Sequence, residues 1–347
     1  MHNIHRRDQL PQPRSHRASR GPNLAWDGLV RPLPEELTRG PFTRDTALAC
    51  EVTSRMLQGA RFVRVFPEVW RTRDHVMTQQ DWIHAATLAL PPQAHLTGIS
   101  RLQLLGLDYD DRLPVRFVVE GDLHLTIDGI FLHRTKRLSP TDEFGVTPAA
   151  AFIAYCARAR VIDAIKVGDW LLHNGHMTVE EVRVLALSAL WRDGAHEALW
   201  ILDHLDARSR SLKESETRGV LAFSGLPVPE VNVTVPVGED VTVIGDLVYR
   251  RWRVVVEYEG SHHQEERAQY VADLDRYALM RGAEVRYVQA THEKLAHART
   301  LVGEVFRELV RQGYDGAPPS FGERWRLLFA PVSAAVGPRR GRLTVNQ

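Results

Sequence analysis

The stretch VVVEYEGSHHQEERAQYVADLDR, residues 254–276, decides the fold because it joins the most apolar strand pattern of the chain to a dense run of charge. Side chains alternate between the two faces of a strand, so Glu257 and Glu259 share one face while Val254, Val256 and Tyr258 take the other. The glycine that follows would end the strand and permit a tight turn. His263 would then lie in a loop at the mouth of the strand, where it could act as a base or hold a water molecule or a phosphate.

A helix is predicted after this loop, and it carries Asp273 and Arg276. These two residues are three positions apart and are therefore neighbours on the helix surface. The forked guanidinium of Arg276 suits either a phosphate or a carboxylate. The stretch as a whole predicts a buried strand that delivers two acids to the edge of a site, with a histidine and a supporting helix beside it.

Another acid, Asp246, precedes this strand. A hairpin turn centred on Arg251 and Trp252 would set Asp246 opposite Glu257, with the Cβ atoms of the pair about 4.5–5.5 Å apart. Two carboxylates this close repel each other unless a positive charge lies between them. A hard divalent cation would supply that charge, since Mg²⁺ takes one or two carboxylates together with water and substrate phosphate. The alternative is structural: Asp246 would end a strand and Glu257 would pair with an arginine.

The periodicity of the chain predicts an α/β protein, α+β overall, with four regions. They are a disordered basic arm, a mainly helical region with a small β component, a β-rich region of order α-β-β-β-α-β-α, and a flexible tail. Their boundaries are residues 1–40, 41–205, 206–312 and 313–347.

Three local patterns refine this division. Two short helices followed by a strand at 62–66 suggest a small winged-helix-like unit. Two strand patterns within 114–135 predict a hairpin or a meander. Ser211 and Glu214 have the spacing of a capping box at the start of the helix before the β-rich region. Glu214 is therefore either a structural capping residue or an acid of the site.

Bulk composition excludes few functions. The 347 residues are 44% apolar and 25% charged, and the net charge of +1 points to no particular partner. Two cysteines without a motif argue against a disulfide framework and favour a reducing, cytoplasmic setting. No run of about 18 apolar residues occurs, so no membrane span is predicted.

The element order, with an acid followed by a Glu-x-acid strand, resembles the PD-(D/E)XK nuclease fold. The pattern D-x10-E-Y-E-G-S-H-H at 246–263, followed by D-x2-R at 273–276, looks like a DUF559 domain, which is related to the very short patch repair (Vsr) endonucleases. The segments PFTRDTAL, FVRVFPEVW, HLTGISRLQLLGL and GVTPAAA are similar to the winged-helix region of AbiEi-type antitoxins. Together these resemblances cover residues 41–312.

The resemblance implies roles for particular residues. Asp246 and Glu257 would be ligands of Mg²⁺ or Mn²⁺, and Asp273 and Arg276 would support or bind the substrate. Glu259 stands where the near family has aspartate and the wider superfamily has lysine, so His263 or a metal-bound water would replace that lysine. The implied catalytic set is Glu214, Asp246, Glu257, Glu259 and His263.

The function expected from this resemblance is that of a metal-dependent DNA endonuclease with an N-terminal region that recognises DNA or a partner. The alternative is a non-catalytic, DNA-binding transcriptional regulator of the AbiEi antitoxin type, in which the nuclease fold is a relic that serves as a binding scaffold. A cognate toxin or a defence-system protein is a further expected partner. The protein is expected in the cytoplasm, without a membrane partner.

Overall fold

The computed structural model describes residues 32–259 and 276–337, so the predictions for the basic arm before residue 32, for His263 and for Asp273 lie outside the described residues. The helix α11 is described over 276–282. The other helices are α1 Glu35–Thr38, α2 Arg44–Ala49, α3 Ser54–Leu57, α4 Gln79–Leu88, α5 Gly98–Leu104, α6 Pro148–Cys156, α7 Val161–His173, α8 Val179–Ser188, α9 Ala195–Ile201, α10 Leu212–Phe223, α12 His292–Ala296, α13 Ala298–Arg311, α14 Glu323–Leu328 and α15 Ser333–Val336. None of the described helices is long and apolar enough to cross a lipid bilayer.

The strands form small sheets, and the protein is a mixed α and β fold, as predicted. Their bounds are β1 Phe42–Thr43, β2 Phe62–Phe66, β3 Val69–Thr72, β4 His95–Leu96, β5 Val115–Glu120, β6 Ile130–Thr135, β7 Thr141–Asp142, β8 Gly145–Val146, β9 Glu230–Pro236, β10 Thr242–Tyr249, β11 Val254–Tyr258 and β12 Arg286–Ala290.

The N-terminal unit contains the two short helices and the strand that the sequence predicts. Thr43 and Thr53 begin α2 and α3, and each side chain accepts a hydrogen bond from a backbone N–H of the first turn. Strands β2 and β3 form a hairpin, and β1 joins it to give the order β1-β3-β2. The rings of Phe42 and Phe62 meet edge to face with centroids 5.9 Å apart in the core beneath this sheet.

The second sheet corrects one prediction. The sequence predicted a hairpin or meander within 114–135, but β5 and β6 are parallel, with Val115 beside Ile130. The intervening residues 121–129 are long enough, at about 3.3 Å per residue, to return along the full length of β5 before β6 begins. The antiparallel partner of β5 is instead β4, which gives the order β4-β5-β6.

The C-terminal sheet has the order β12-β11-β10-β9. Strands β9, β10 and β11 are antiparallel, and β12 runs parallel to β11. The helices α10 and α13 pack on one face, where Val254 and Val256 join the largest hydrophobic core. Helix α11 packs on the other face, where Met280 contacts a smaller core around Val255. The chain order through this sheet is α10-β9-β10-β11-α11-β12, as the sequence predicts.

The regions on either side of residue 205 share the largest core. It contains residues of α5 to α7 together with residues of α10, the C-terminal sheet and α13. A buried ion pair also joins the regions, since Nη2 of Arg218 on α10 lies 2.7 Å from a carboxylate oxygen of Asp169 on α7. Asp169 has no exposed surface, and its other oxygen accepts a hydrogen bond from the N–H of Asp206 at 2.7 Å.

Residues 323–336, which the sequence placed in a flexible tail, form α14 and α15 and pack into the largest core. Trp325, Leu328 and Val332 are buried there. The backbone is also paired, because the N–H of Val332 donates to the carbonyl of Ala159 at 2.9 Å. The flexible-tail expectation is therefore wrong for these residues. Their short helices lie between glycines and prolines, and this composition is typical of a linker. The sequence pattern therefore does not indicate that the apolar side chains are buried.

We expect Leu328→Ala to lower the free energy of unfolding by about 2–4 kcal/mol, because a fully buried leucine leaves a cavity when it is truncated. The exposed Arg326 on the same helix provides the matched control, and Arg326→Ala should change that free energy by less than about 0.5 kcal/mol. Chemical denaturation followed by circular dichroism measures both. Equal stability of the two variants would mean that α14 does not pack on the core.

Candidate active site

The β10–β11 hairpin brings Asp246 and Glu257 together, as the sequence predicts. Tyr249 pairs with Val254 and Leu247 with Val256, and the same register continued by one residue sets Asp246 opposite Glu257. The turn is a short 3-10 segment, Arg250–Trp252, and the residue after it, Arg253, adopts φ 50° in place of the usual turn glycine. The N–H of Tyr258 donates to Oδ2 of Asp246 at 3.1 Å, which fixes this carboxylate at the end of β11.

Glu214 reaches the same place from α10. Ser211 caps this helix, since its Oγ accepts a hydrogen bond from the N–H of Glu214 at 3.0 Å. The reciprocal half of the predicted capping box is replaced, because the Glu214 carboxylate accepts from the side chain of Asn232 at 2.7 Å and from the N–H of Arg210 at 3.0 Å. The buried Glu214 therefore turns toward β9 and the neighbouring Asp246. We call Glu214, Asp246 and Glu257 the acid cluster.

Arg276 supplies the positive charge beside the acid cluster. Its Nη2 donates to Oε1 of Glu257 and to the carbonyl of Ile244. Glu257 is buried, whereas the Arg276 side chain is partly exposed at the start of the described part of α11. The sequence allows two roles for Arg276, phosphate binding and support of a carboxylate. The hydrogen bond to Glu257 corresponds to the second role.

Burial and charge together raise the pKa of Asp246. Burial, followed by the negative charge of Glu214, raises the pKa of its carboxyl to about 6. The N–H of Tyr258 and the positive charges of Arg276 and Arg210 act against this shift without cancelling it. Asp246 is therefore harder to ionise than an exposed aspartate, which is the condition under which a carboxyl retains its proton or attracts a cation.

Glu257 and Glu259 lie on one face of β11, as alternation predicts, but they have different neighbours. The Glu259 carboxylate accepts hydrogen bonds from the hydroxyls of Tyr277 and Tyr287, the latter at 2.6 Å, and from the side chain of Gln289. The two tyrosine hydroxyls are also 2.8 Å apart. Burial, followed by the hydrogen bond to Glu259, raises the pKa of both phenols. Glu259 is thus held by a polar cluster on α11 and β12 rather than by the acid cluster.

Four residues of the site were not predicted from the sequence: Asn232, Tyr277, Tyr287 and Gln289. Tyr287 and Gln289 are two apart on β12, so alternation alone puts them on one face. Their position beside Glu259 depends on the parallel register, in which Glu257 pairs with Gln289. That register links residues on either side of a long connection, and no local pattern in the sequence fixes it.

The donor set is compatible with one hard divalent cation but does not form a larger ligand cluster. Among residues 32–259 and 276–337, no group of three or more His, Cys, Asp or Glu side chains is arranged to hold a metal ion. Mg²⁺ needs only one or two carboxylates when water and phosphate complete its shell. Asp246 and Glu257 meet that need, and the raised pKa of Asp246 indicates charge that a cation would neutralise.

No family model matches the sequence, and searches of curated proteins and of solved structures found no match either.

We expect Asp246→Asn to stabilise the protein at neutral pH by about 1–3 kcal/mol, because a pKa raised from 3.8 to about 6 makes ionisation of Asp246 unfavourable in the folded state. Below pH 3.8 both states are protonated and the variants should be equally stable. Between these two pKa values the folded state binds more protons, so wild-type stability falls as the pH rises, and above pH 6 the full difference is present.

Urea denaturation at pH 4 and pH 8 measures this difference. Asp240→Asn, on the exposed β9–β10 connection, is the matched control and should leave the pH dependence unchanged. If the difference in stability between wild type and Asp246→Asn were the same at pH 4 and pH 8, the raised pKa of Asp246 would be contradicted.

We expect Glu259→Asp to lower the free energy of unfolding by about 1–3 kcal/mol, because the shorter side chain withdraws from the two half-buried phenols that donate to it. Glu239→Asp, at an exposed acid of the β9–β10 connection, should have almost no effect. Thermal unfolding of the two variants side by side is the measurement. Unchanged stability of Glu259→Asp would show that the tyrosine cluster does not need the longer acid.

Proposed function

We propose that the protein is a metal-dependent DNA endonuclease of the PD-(D/E)XK type, similar to DUF559 and Vsr-like enzymes, and that the acid cluster is its active site. The observation that carries the proposal is the meeting of Asp246 and Glu257 on the β10–β11 hairpin. Glu214 approaches them from α10 and Arg276 from α11. Acids converging from a helix and two paired strands, with an arginine beside them, suit the hydrolysis of a phosphodiester.

Each residue of the site would have a separate role in phosphodiester hydrolysis. Asp246 and Glu257 would hold Mg²⁺ or Mn²⁺, and Arg276 would orient Glu257 through its hydrogen bond to Oε1. The bound ion would supply a water molecule of lowered pKa and positive charge against the phosphate. His263, which the structure does not describe, is expected to orient or deprotonate the attacking water. Glu259 would support the strand through its tyrosine partners and is not part of the proposed ligand set.

The N-terminal unit is proposed to be a winged-helix module that recognises DNA. Support comes from its order α1-β1-α2-α3-β2-β3, with a β2–β3 hairpin as the wing. Arg55 on α3 and Arg64 on β2 are exposed, and Arg64 also packs over the ring of Trp70, 5.8 Å from its centroid. Exposed arginines on such a unit contact the phosphate backbone.

A second candidate function rests on the same arginine. Arg276 already neutralises Glu257, and a carboxylate that is paired with an internal guanidinium does not require a cation. This pairing favours a regulator that binds DNA, or an antitoxin-like partner of a toxin, on a scaffold without catalysis. The two functions differ in whether any strand scission depends on the acid cluster.

Nicking of supercoiled plasmid DNA by the full-length chain separates the two functions. We expect nicking with Mg²⁺ or Mn²⁺, loss of nicking with EDTA, and a decrease of at least about 100-fold for Glu257→Gln and Asp246→Asn, since metal-ion catalysis is worth several kcal/mol. Glu239→Gln, which removes an exposed acid of the β9–β10 connection, should nick like wild type. Equal nicking by wild type and Glu257→Gln would exclude the proposed site, and DNA binding without nicking would support the regulator.

A further inference from the structure

A cavity of about 550 Å³ lies in the region before the C-terminal sheet, far along the chain from the acid cluster. Its walls come from the start of α5, from β5 and β6, from α6 and the start of α7, and from the turn after α8. Its charge is unbalanced, because three acids and six cationic side chains line it. The cationic side chains are Arg116, Arg134, Lys136, Arg158, Arg160 and Arg192.

Part of this positive charge is already used by the protein. Nε of Arg160 lies 2.6 Å from a carboxylate oxygen of Asp163, and Nη1 of Arg134 lies 2.7 Å from Asp122. Arg192 donates to the backbone carbonyls of residues 137 and 138. These three arginines build the walls and the rim of the cavity rather than a free binding surface.

Arg116 and Arg158 are different. Both guanidinium groups pack on the ring of Phe131, with Cζ atoms 5.4 Å and 5.1 Å from its centroid. Within residues 32–259 and 276–337, neither guanidinium has a hydrogen bond or an ion pair. Burial, followed by the positive charge of Arg158, lowers the pKa of Arg116. Two like charges are thus held beside one aromatic ring, and the negative charge of Asp110 acts against the lowering of the Arg116 pKa without cancelling it.

The rest of the cavity suits a small organic molecule. Its volume lies in the range of about 300–1,000 Å³ that is typical of small-molecule sites. Val118 and Ile153 give apolar wall, and Tyr155 and Trp191 add aromatic surface. A concave site of this size fits a compact ligand better than a polymer backbone, which would follow an open groove.

We propose that this cavity binds a small organic phosphate, with the phosphoryl group held between the guanidinium groups of Arg116 and Arg158. The fork of a guanidinium matches the oxygens of a phosphate, and a dianion balances two arginines. Phe131 holds both side chains in place, and the aromatic and apolar walls receive the organic part of the ligand. The site shares no residue with the acid cluster, so it does not depend on the proposed nuclease activity.

Isothermal titration of the full-length chain tests the proposal with four probes: inorganic phosphate, adenosine monophosphate, adenosine, and a single-stranded DNA oligonucleotide. We expect saturable binding of inorganic phosphate and tighter binding of adenosine monophosphate, with no binding of adenosine alone. Arg116→Gln and Arg158→Gln should each weaken phosphate binding about 10- to 100-fold, which corresponds to the loss of a charged hydrogen bond. Arg112→Gln, an exposed arginine outside the cavity in the loop before β5, should bind like wild type.

Thermal unfolding without ligand establishes that each variant is folded, and Arg116→Lys gives a second variant that keeps the charge but loses the fork. It should bind phosphate more tightly than Arg116→Gln and less tightly than wild type. Absence of saturable binding of inorganic phosphate, or unchanged affinity in both glutamine variants, would overturn the proposal. Dependence on Arg116 and Arg158 for the oligonucleotide alone would also overturn it, because the surface would then be a nucleic-acid contact.

Discussion

The register between β10 and β11 is the constraint on which the candidate site depends. A turn of three residues, closed by the left-handed Arg253, leaves one pairing that buries the valines of both strands. A shift by one residue would move Glu257 and Glu259 into the largest core and would carry valines out of it. Burial of the valines therefore sets the register of the strand, and the register in turn sets where its acids lie.

Two separate sets of contacts compensate the negative charge of the acids at the edge of this sheet. Glu257 is buried against Arg276, and Glu259 is held by two tyrosines and a glutamine. Asp246 accepts a hydrogen bond from the N–H of Tyr258 and faces another acid, and its pKa is raised to about 6. Uneven compensation of this kind is typical of functional sites, because a fully satisfied cluster has no remaining affinity for a ligand.

The sequence predicts this site well where the interactions are local. Alternation places Glu257 and Glu259 on one face, and a short turn fixes Asp246 opposite Glu257. The sequence does not predict contacts between residues that are distant along the chain. Examples are Tyr287 beside Glu259 and the parallel pairing of β5 and β6. The burial of Leu328 was also missed, because short helices between glycines and prolines resemble a linker until their apolar side chains meet a core formed elsewhere.

The Asp169–Arg218 pair has a consequence for how the two halves of the chain depend on each other. Excision of the acid-bearing half would separate Arg218 from its counter-ion and would expose the apolar surface of α10 that packs on α7. The same α7 carries Asp163 at the wall of the cavity of about 550 Å³. The shared core and the ion pair favour cooperative unfolding of the two halves, so a ligand that binds the folded cavity would also stabilise the distant acid cluster.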